Sequence, residues 1–351
     1  MWLEREELMK ALVFHGVEDI RFEEVETPVP GEGEVLVKVK AVSICGSDLA
    51  GFRGGNTMRV PPLIMGHEFS GEVAALGPGV TSAKVGDKVS VITNMFCGEC
   101  PACELGLTNI CENRRIIGTT MPGGSYDGAM AEFLVAPASK LIPLSGKRTF
   151  AEYALAEPLS TGLRAIRLAG DVAGKSVAVL GCGPIGLLTI MCLKHFGARI
   201  IAAMDIQDKR LDMAMQCGAT EVLNANQDFF AFTRKLTDGA GVDIVFDAVG
   251  NSSTINLGAD IVRLGGKVIW VGLAQPHIEF EYKHAAVKEL TFQSVYLYIT
   301  EMEEGVELIE SGAFDVSQII TSTLPMCEGP RAFKELASGK TEDIKVILVN
   351  E

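Results

Sequence analysis

A chain of 351 residues suits two domains of ordinary size, and with 48% apolar and 22% charged residues it has material for two packed cores, which excludes a disordered chain. Its 31 Lys and Arg against 45 Asp and Glu give a formal charge of -14. Such a surface repels phosphate backbones and anionic lipid, so neither nucleic acid nor a membrane is expected as a partner.

The start carries Glu4, Arg5, Glu6 and Glu7 with no apolar core, unlike a secretion signal, and a cytoplasmic protein is expected. From there to about Pro143 the sequence reads as strands and turns. Segment 35–42 is β-branched and alternating, 72–76 and 88–93 are similar, and Gly-Pro-Gly and Gly-Asp turns separate them. A compact, β-rich, barrel-like domain with long loops is expected.

Two short motifs stand out in this part: Cys45-Gly46-Ser47-Asp48, and His67-Glu68 after Gly66. With Glu157, which precedes Pro158, they offer a thiolate, an imidazole and carboxylates. That donor set matches a catalytic zinc, which keeps a coordination position open. Each member also has a plainer reading: a small core cysteine, a hydrogen-bonded buried histidine, and a carboxylate favouring a helix start at Pro158.

Nine cysteines is an odd number, and Cys97, Cys100, Cys103 and Cys111 fall in the spacing C-x2-C-x2-C-x7-C. Four thiolates so placed suit one closed tetrahedral zinc, a structural ion that ties a loop lacking its own core. Ferredoxin-type clusters open with the same C-x2-C-x2-C, but there the fourth cysteine follows sooner and a proline comes after it.

From Lys175 strands and helices alternate. Strands are expected at 176–180, 199–205, 221–223, 243–249 and 267–273, with helices at 184–196, 209–217, 229–236 and 255–263. That alternation predicts βαβ crossovers and a doubly wound parallel sheet. Gly181-Cys182-Gly183-Pro184-Ile185-Gly186 lies between the first strand and its helix, and Asp205 ends the next strand. The glycines allow a tight turn, a close approach of backbone to a pyrophosphate, and tight helix–strand packing. Asp205 would take the ribose hydroxyls of NAD and repel a 2′-phosphate. The uncharged run 176–193 has the length of a membrane span, but its glycines and Pro184 interrupt it. The tail from 292 holds an apolar run to 299, a helix at 301–311 and a strand at 345–349.

Taken together, these motifs, with Asp127-Gly128, Ala131-Glu132-Phe133 and Glu157-Pro158-Leu159-Ser160, resemble the zinc-dependent medium-chain alcohol dehydrogenases, nearest the sorbitol (polyol) dehydrogenase branch. The resemblance runs from about Met9 almost to the end. It implies an α/β protein: a GroES-like, β-rich catalytic domain from residues 1–157 and 292–351, and a Rossmann NAD-binding domain from 158–291, with the active site in the cleft between them. Cys45 and His67 would bind catalytic zinc, with Glu68 and Glu157 as direct, water-mediated or exchanging ligands. Asp48 would orient His67, and Ser47 would hydrogen-bond the substrate hydroxyl. Arg210 resembles the family's basic residue beside the adenosine ribose.

NAD and two zinc ions per chain are thus implied, as is a homodimer or homotetramer formed through the 292–299 run. The activity implied is reversible oxidation of a secondary alcohol of a polyol, sugar alcohol or phosphorylated polyol. A threonine-like amino alcohol or a simple secondary alcohol is the alternative substrate, and a non-catalytic NAD-binding sensor is the alternative of another class. Two positions depart from the family pattern. Ala50 replaces a proton-relay histidine, and Leu297-Tyr298 replaces an Arg-Tyr pair. Arg53 and Arg59 read as solvated surface arginines or contacts for an anionic substrate group. Cys182, Cys192, Cys217 and Cys327 read as buried packing residues.

Overall fold

The computed structural model describes residues 8–350; the charged start at residues 1–7 lies outside the described residues. The chain divides into two units, Met1–Glu157 with Met302–Glu351, and Pro158–Glu301.

In the first unit, alternation of Val35, Val37 and Val39 produces the strand Glu34–Ser43, the most connected strand of a seven-stranded sheet. Glu68–Leu76 runs antiparallel along one side of it, while Phe133–Pro137 and Lys345–Val349 share the other. Inward residues of these strands pack with Leu12, Val89 and Phe333 in one apolar core. The sheet register decides which chain segments become neighbours. Ser43 pairs with Glu68 on one side and with Ile347 on the other. Residues 45, 68 and 345, far apart in sequence, are thereby drawn to one end of the sheet.

In the second unit, six parallel strands lie in the order Glu221–Asn224, Ile200–Asp205, Ser176–Leu180, Val242–Asp247, Val262–Trp270 and Thr291–Ser294. The order reverses between Ser176–Leu180 and Val242–Asp247, and ligands of such sheets bind at the carboxyl ends of strands at this point. The core is built from Ala178, Leu180, Ala202, Val245 and Val268. No helix among the described residues is long and apolar enough to cross a membrane. The uncharged run 176–193 is a strand, a turn and part of a helix.

The return of the chain differs from the expectation at 292. Thr291–Ser294 is hydrogen-bonded to Val262–Trp270 as the edge strand of the parallel sheet, so the second unit extends to Glu301. The apolar run to 299 does not stay extended either, because Leu297 takes a left-handed φ of +50°.

Gly186 marks the tightest approach of helix to strand end. A Cβ there would stand 1.8 Å from the carbonyl oxygen of Gly181. Gly186→Ala should therefore destabilise this unit by about 1–3 kcal/mol, the range for overpacking, read from urea denaturation. An unchanged midpoint would refute the packing role.

Candidate active site

Cys45 caps the short helix Gly46–Phe52, its Sγ accepting from the Ser47 N–H at 3.5 Å while its own N–H is offered to Asp48 Oδ2 at 3.4 Å. The cap turns Ser47 Oγ back to within 3.3 Å of Cys45 Sγ. At Gly66, φ +98° with Met130 packed against the backbone, the chain turns into the strand that begins at Glu68. The donor atoms of Cys45, His67 and Glu68 then lie within 4.8 Å of one another. Glu157, buried in the helix Ala156–Ala169, is not a member of this three-donor group.

The electrostatics of the group ask for a cation. Burial, followed by the charge of Glu68, pushes the Cys45 thiol up to about 12. Burial also pushes the Glu157 carboxyl up to about 8, His67 opposing and Glu68 and Cys45 reinforcing the rise. His67 Nδ1 is buried without a hydrogen-bond partner. A soft thiolate, an imidazole and carboxylates in a desolvated site fit zinc.

Two cations that the sequence reading did not assign are built in. Lys345 is 2% exposed, and its Nζ stands 2.5 Å from Glu68 Oε2 and donates to the Ile44 carbonyl at 3.4 Å. Burial acts to lower its pKa, but the charges of Glu68 and Cys45 hold the ammonium above its ordinary value. A lone charge inside the apolar stretch Ile344–Leu348 was the available sign of it.

Arg59 is the second, and it corrects the surface reading: its side chain is 1% exposed. Its Nε and Nη2 donate to Asp48 Oδ1 at 3.1 and 2.7 Å, and Nη2 donates to Ser47 Oγ at 3.0 Å. That same Asp48 oxygen lies 3.7 Å from His67 Nδ1, too far for a hydrogen bond. Arg53, by contrast, is exposed and caps the helix Gly329–Ser338 through the carbonyls of Leu336 and Ala337. Ala50 lies within the helix Gly46–Phe52.

Cys97, Cys100, Cys103 and Cys111 form a second donor group. Cys111 Sγ lies 3.5 Å from Cys97 Sγ and 3.8 Å from Cys100 Sγ. A tetrahedron with Zn–S bonds near 2.3 Å has edges of about 3.8 Å, whereas a disulfide needs about 2.05 Å. The spacing fits a closed four-thiolate site. A backbone N–H at Glu99 lowers the Cys97 thiol, and N–H groups of Glu112 and Cys103 bring Cys100 down to about 6. Of the remaining cysteines, Cys182, Cys192 and Cys217 are buried as expected, but Cys327 is exposed.

In the second unit, Gly181 takes φ +92° to leave its strand, and Gly183 caps the helix Pro184–His195. A Cβ on Gly183 would meet nothing within 4 Å, so open space lies over this backbone. The first N–H groups of the helix, from Ile185 and Gly186 onward, have no carbonyl within it to bond and favour a phosphate. Asp205 ends its strand with Oδ2 accepting from Cys182 N at 2.8 Å and Oδ1 from Gln207 N at 3.0 Å. Each oxygen keeps a lone pair for a ribose hydroxyl. Arg210 Nη1 stands 3.9 Å from Asp205 Oδ2.

Because Cys45 must lose its proton to bind metal, zinc affinity at this site should rise with pH. With a metal-free pKa of about 12, the thiol is protonated throughout the neutral range. The apparent dissociation constant should fall about tenfold per pH unit for each proton released, measured by chelator competition between pH 6 and 8. A pH-independent affinity would exclude Cys45 as ligand.

A family model of the alcohol dehydrogenase GroES-like domain matches residues 31–146, and one of the zinc-binding dehydrogenases matches residues 184–311. Sorbitol dehydrogenase of Bacillus subtilis is 33% identical over 345 residues, 97% of each chain. L-threonine 3-dehydrogenase of Caldanaerobacter subterraneus is 38% identical, over 90% of this chain and 91% of that one. Among solved structures, an Escherichia coli oxidoreductase of unknown specificity superposes with a TM-score of 0.91 at 34% identity, covering 97% of this chain and 99% of that one. The chain belongs to the zinc-dependent medium-chain alcohol dehydrogenases, near their polyol dehydrogenase branch.

Proposed function

We propose that the protein reversibly oxidises a secondary alcohol of a polyol, sugar alcohol or phosphorylated polyol to a ketone, with NAD as hydride acceptor. The observation that carries this reading is the Cys45–His67–Glu68 group, half-buried at Cys45 and buried at His67 and Glu68, with the Ser47 hydroxyl beside it. Cys45 and His67, with Glu68 and Glu157 as direct, water-mediated or exchanging ligands, would hold zinc, which would supply a Lewis acid for the substrate oxygen, and a nicotinamide bound in the second unit would supply the hydride acceptor. Ser47 Oγ receives the proton of the substrate hydroxyl. Asp48, 3.7 Å from His67 Nδ1, would orient that imidazole once a metal is bound. Since Ala50 can neither accept nor donate a proton, the path beyond Ser47 runs to the cofactor ribose or water.

In the second unit, Gly181, Gly183, Pro184, Ile185 and Gly186 hold the pyrophosphate, and Asp205 with Arg210 holds the adenosine ribose. Asp205 supports NAD over NADP, since a carboxylate facing a 2′-phosphate sets like charges together. The four-cysteine lobe holds the second, structural zinc. Nine free cysteines suit a reducing, cytoplasmic setting. The edge strand Thr291–Ser294, paired on one side only, suits a homodimer or homotetramer.

The likeness to L-threonine 3-dehydrogenase supports a second reading with a threonine-like amino alcohol as substrate. Turnover measured with polyols, phosphorylated polyols, threonine and simple secondary alcohols separates the two. A polyol should give the highest kcat/KM, and threonine in that place would reverse the order. No turnover on any alcohol or ketone by zinc-loaded, NAD-binding protein would instead favour a sensor.

Asp205→Ala should weaken NAD binding and relax the preference against NADP, as read from both Kd values. Wild-type protein that prefers NADP would contradict the role of Asp205. Ser47→Ala should lower turnover by about 10²–10⁴-fold with a smaller effect on KM, in keeping with loss of a proton-transfer group. Full turnover across the pH profile would place Ser47 off the proton path.

A further inference from the structure

We infer that Arg59 is a positioning residue of the active site, its buried guanidinium fixing the Ser47 hydroxyl and the Asp48 carboxylate in one shared geometry. The inference rests on the reading of Ser47 as the group that meets the substrate hydroxyl. Arg59 is placed with care. Gly51 makes room for its stem: a Cβ on Gly51 would stand 2.4 Å from Arg59 Cγ. The loop before it is tied down by Asn56, whose Nδ2 donates to the Ser47 carbonyl at 3.2 Å and whose own carbonyl accepts from Arg59 N at 3.3 Å.

From that seat Arg59 Nη2 reaches Ser47 Oγ and Asp48 Oδ1 together, while Nε reaches Asp48 Oδ1. The consequence for Ser47 is directional. With one lone pair taken by Arg59 and its hydrogen resting on Cys45 Sγ, the other lone pair is left for a substrate hydroxyl; as that proton arrives, the hydrogen of Ser47 turns to the ribose or water. The consequence for Asp48 is that one oxygen is held opposite His67 Nδ1 without being free to swing. A planar fork can hold two partners in fixed directions; an ammonium carries the same charge but cannot reproduce the fork. Groups that orient a metal-binding histidine typically influence metal affinity as well as rate.

The test uses zinc-loaded enzyme carrying Arg59→Lys, Ser47→Ala and both together, with the metal-free Arg59→Lys protein for metal binding. Arg59→Lys keeps a cation beside Asp48, so its thermal midpoint should stay near that of the wild type. Its kcat should nonetheless fall about 10–100-fold with KM little changed, the usual range for an outer group that orients the reacting ones. In the Ser47→Ala background the same substitution should cost less than in the wild type, because one of the two residues through which it acts is gone and only Asp48 remains. Zinc affinity of metal-free Arg59→Lys, which keeps the charge and loses only the fork, measured by chelator competition without turnover, should weaken by about 10–100-fold.

Wild-type kcat in Arg59→Lys, full multiplication of the two single losses in the double variant, or unchanged zinc affinity in Arg59→Lys overturns the inference. Full activity of Ser47→Ala instead overturns the role of Ser47 itself, so the two failures are told apart.

Discussion

Charge neutrality in a desolvated space is the constraint around which the first unit is arranged. Asp48, Glu68 and Glu157 are 0%, 1% and 5% exposed, and the Cys45 thiol lies among them. A carboxylate removed from water without a partner is strongly unfavourable, and it answers by taking up a proton or by finding a cation. Asp48 has Arg59 and Glu68 has Lys345. Cys45 and Glu157 have no such ion pair, and these are the groups whose proton affinity burial raises. One divalent ion restores the balance. The affinity of the site for metal is thus a property of the whole buried charge set as much as of the donor atoms.

The backbone supplies that arrangement through sheet register and two kinds of turn. Because Glu68 and Ile347 flank Ser43 on neighbouring strands, the carboxylate and the lysine that neutralises it meet without any long loop. The helix cap at Cys45 and the left-handed turn at Gly66 then present thiol and imidazole from the ends of regular elements. Donors held this way lose little freedom when a ligand arrives, which favours a preformed site over one assembled on binding. The second unit uses the same economy, with Gly181, Gly183 and Gly186 at a strand end and Asp205 at the end of its neighbour.

Much of this was legible in the sequence, for identifiable reasons. The donors and the nucleotide fingerprint sit at fixed short spacings, and alternating strands and helices announce a parallel sheet by their periodicity. The helix Phe229–Leu236 and the strand Lys345–Val349 fall where the pattern predicts them. What stayed hidden depends on contacts across long separations. Arg59 carries no motif of its own, Lys345 shows in the sequence only as a lone charge in an apolar strand, and packing alone reveals which acids they meet. The domain return is hidden because 292–299 is uncharged and mostly apolar, so composition does not show that only Thr291–Ser294 is strand or that Leu297 breaks the extension. Cys327, apart from every cluster, gave no sign of being exposed.

The interrupted first unit has a consequence for biosynthesis. On a ribosome, Cys45, His67 and Glu68 emerge before any part of Pro158–Glu301, while the neutralising Lys345 emerges after all of it. At usual elongation rates that interval is on the order of tens of seconds. Throughout it the segment 41–43, which finally pairs with Lys345–Val349, has an open edge, and Glu68 has no lysine. The contiguous second unit can mature during that interval, whereas the nascent first unit must keep its unfinished sheet edge away from other chains. The donor atoms are thus present early, and it is the charge balance around Glu68 that comes late, with the arrival of a single strand.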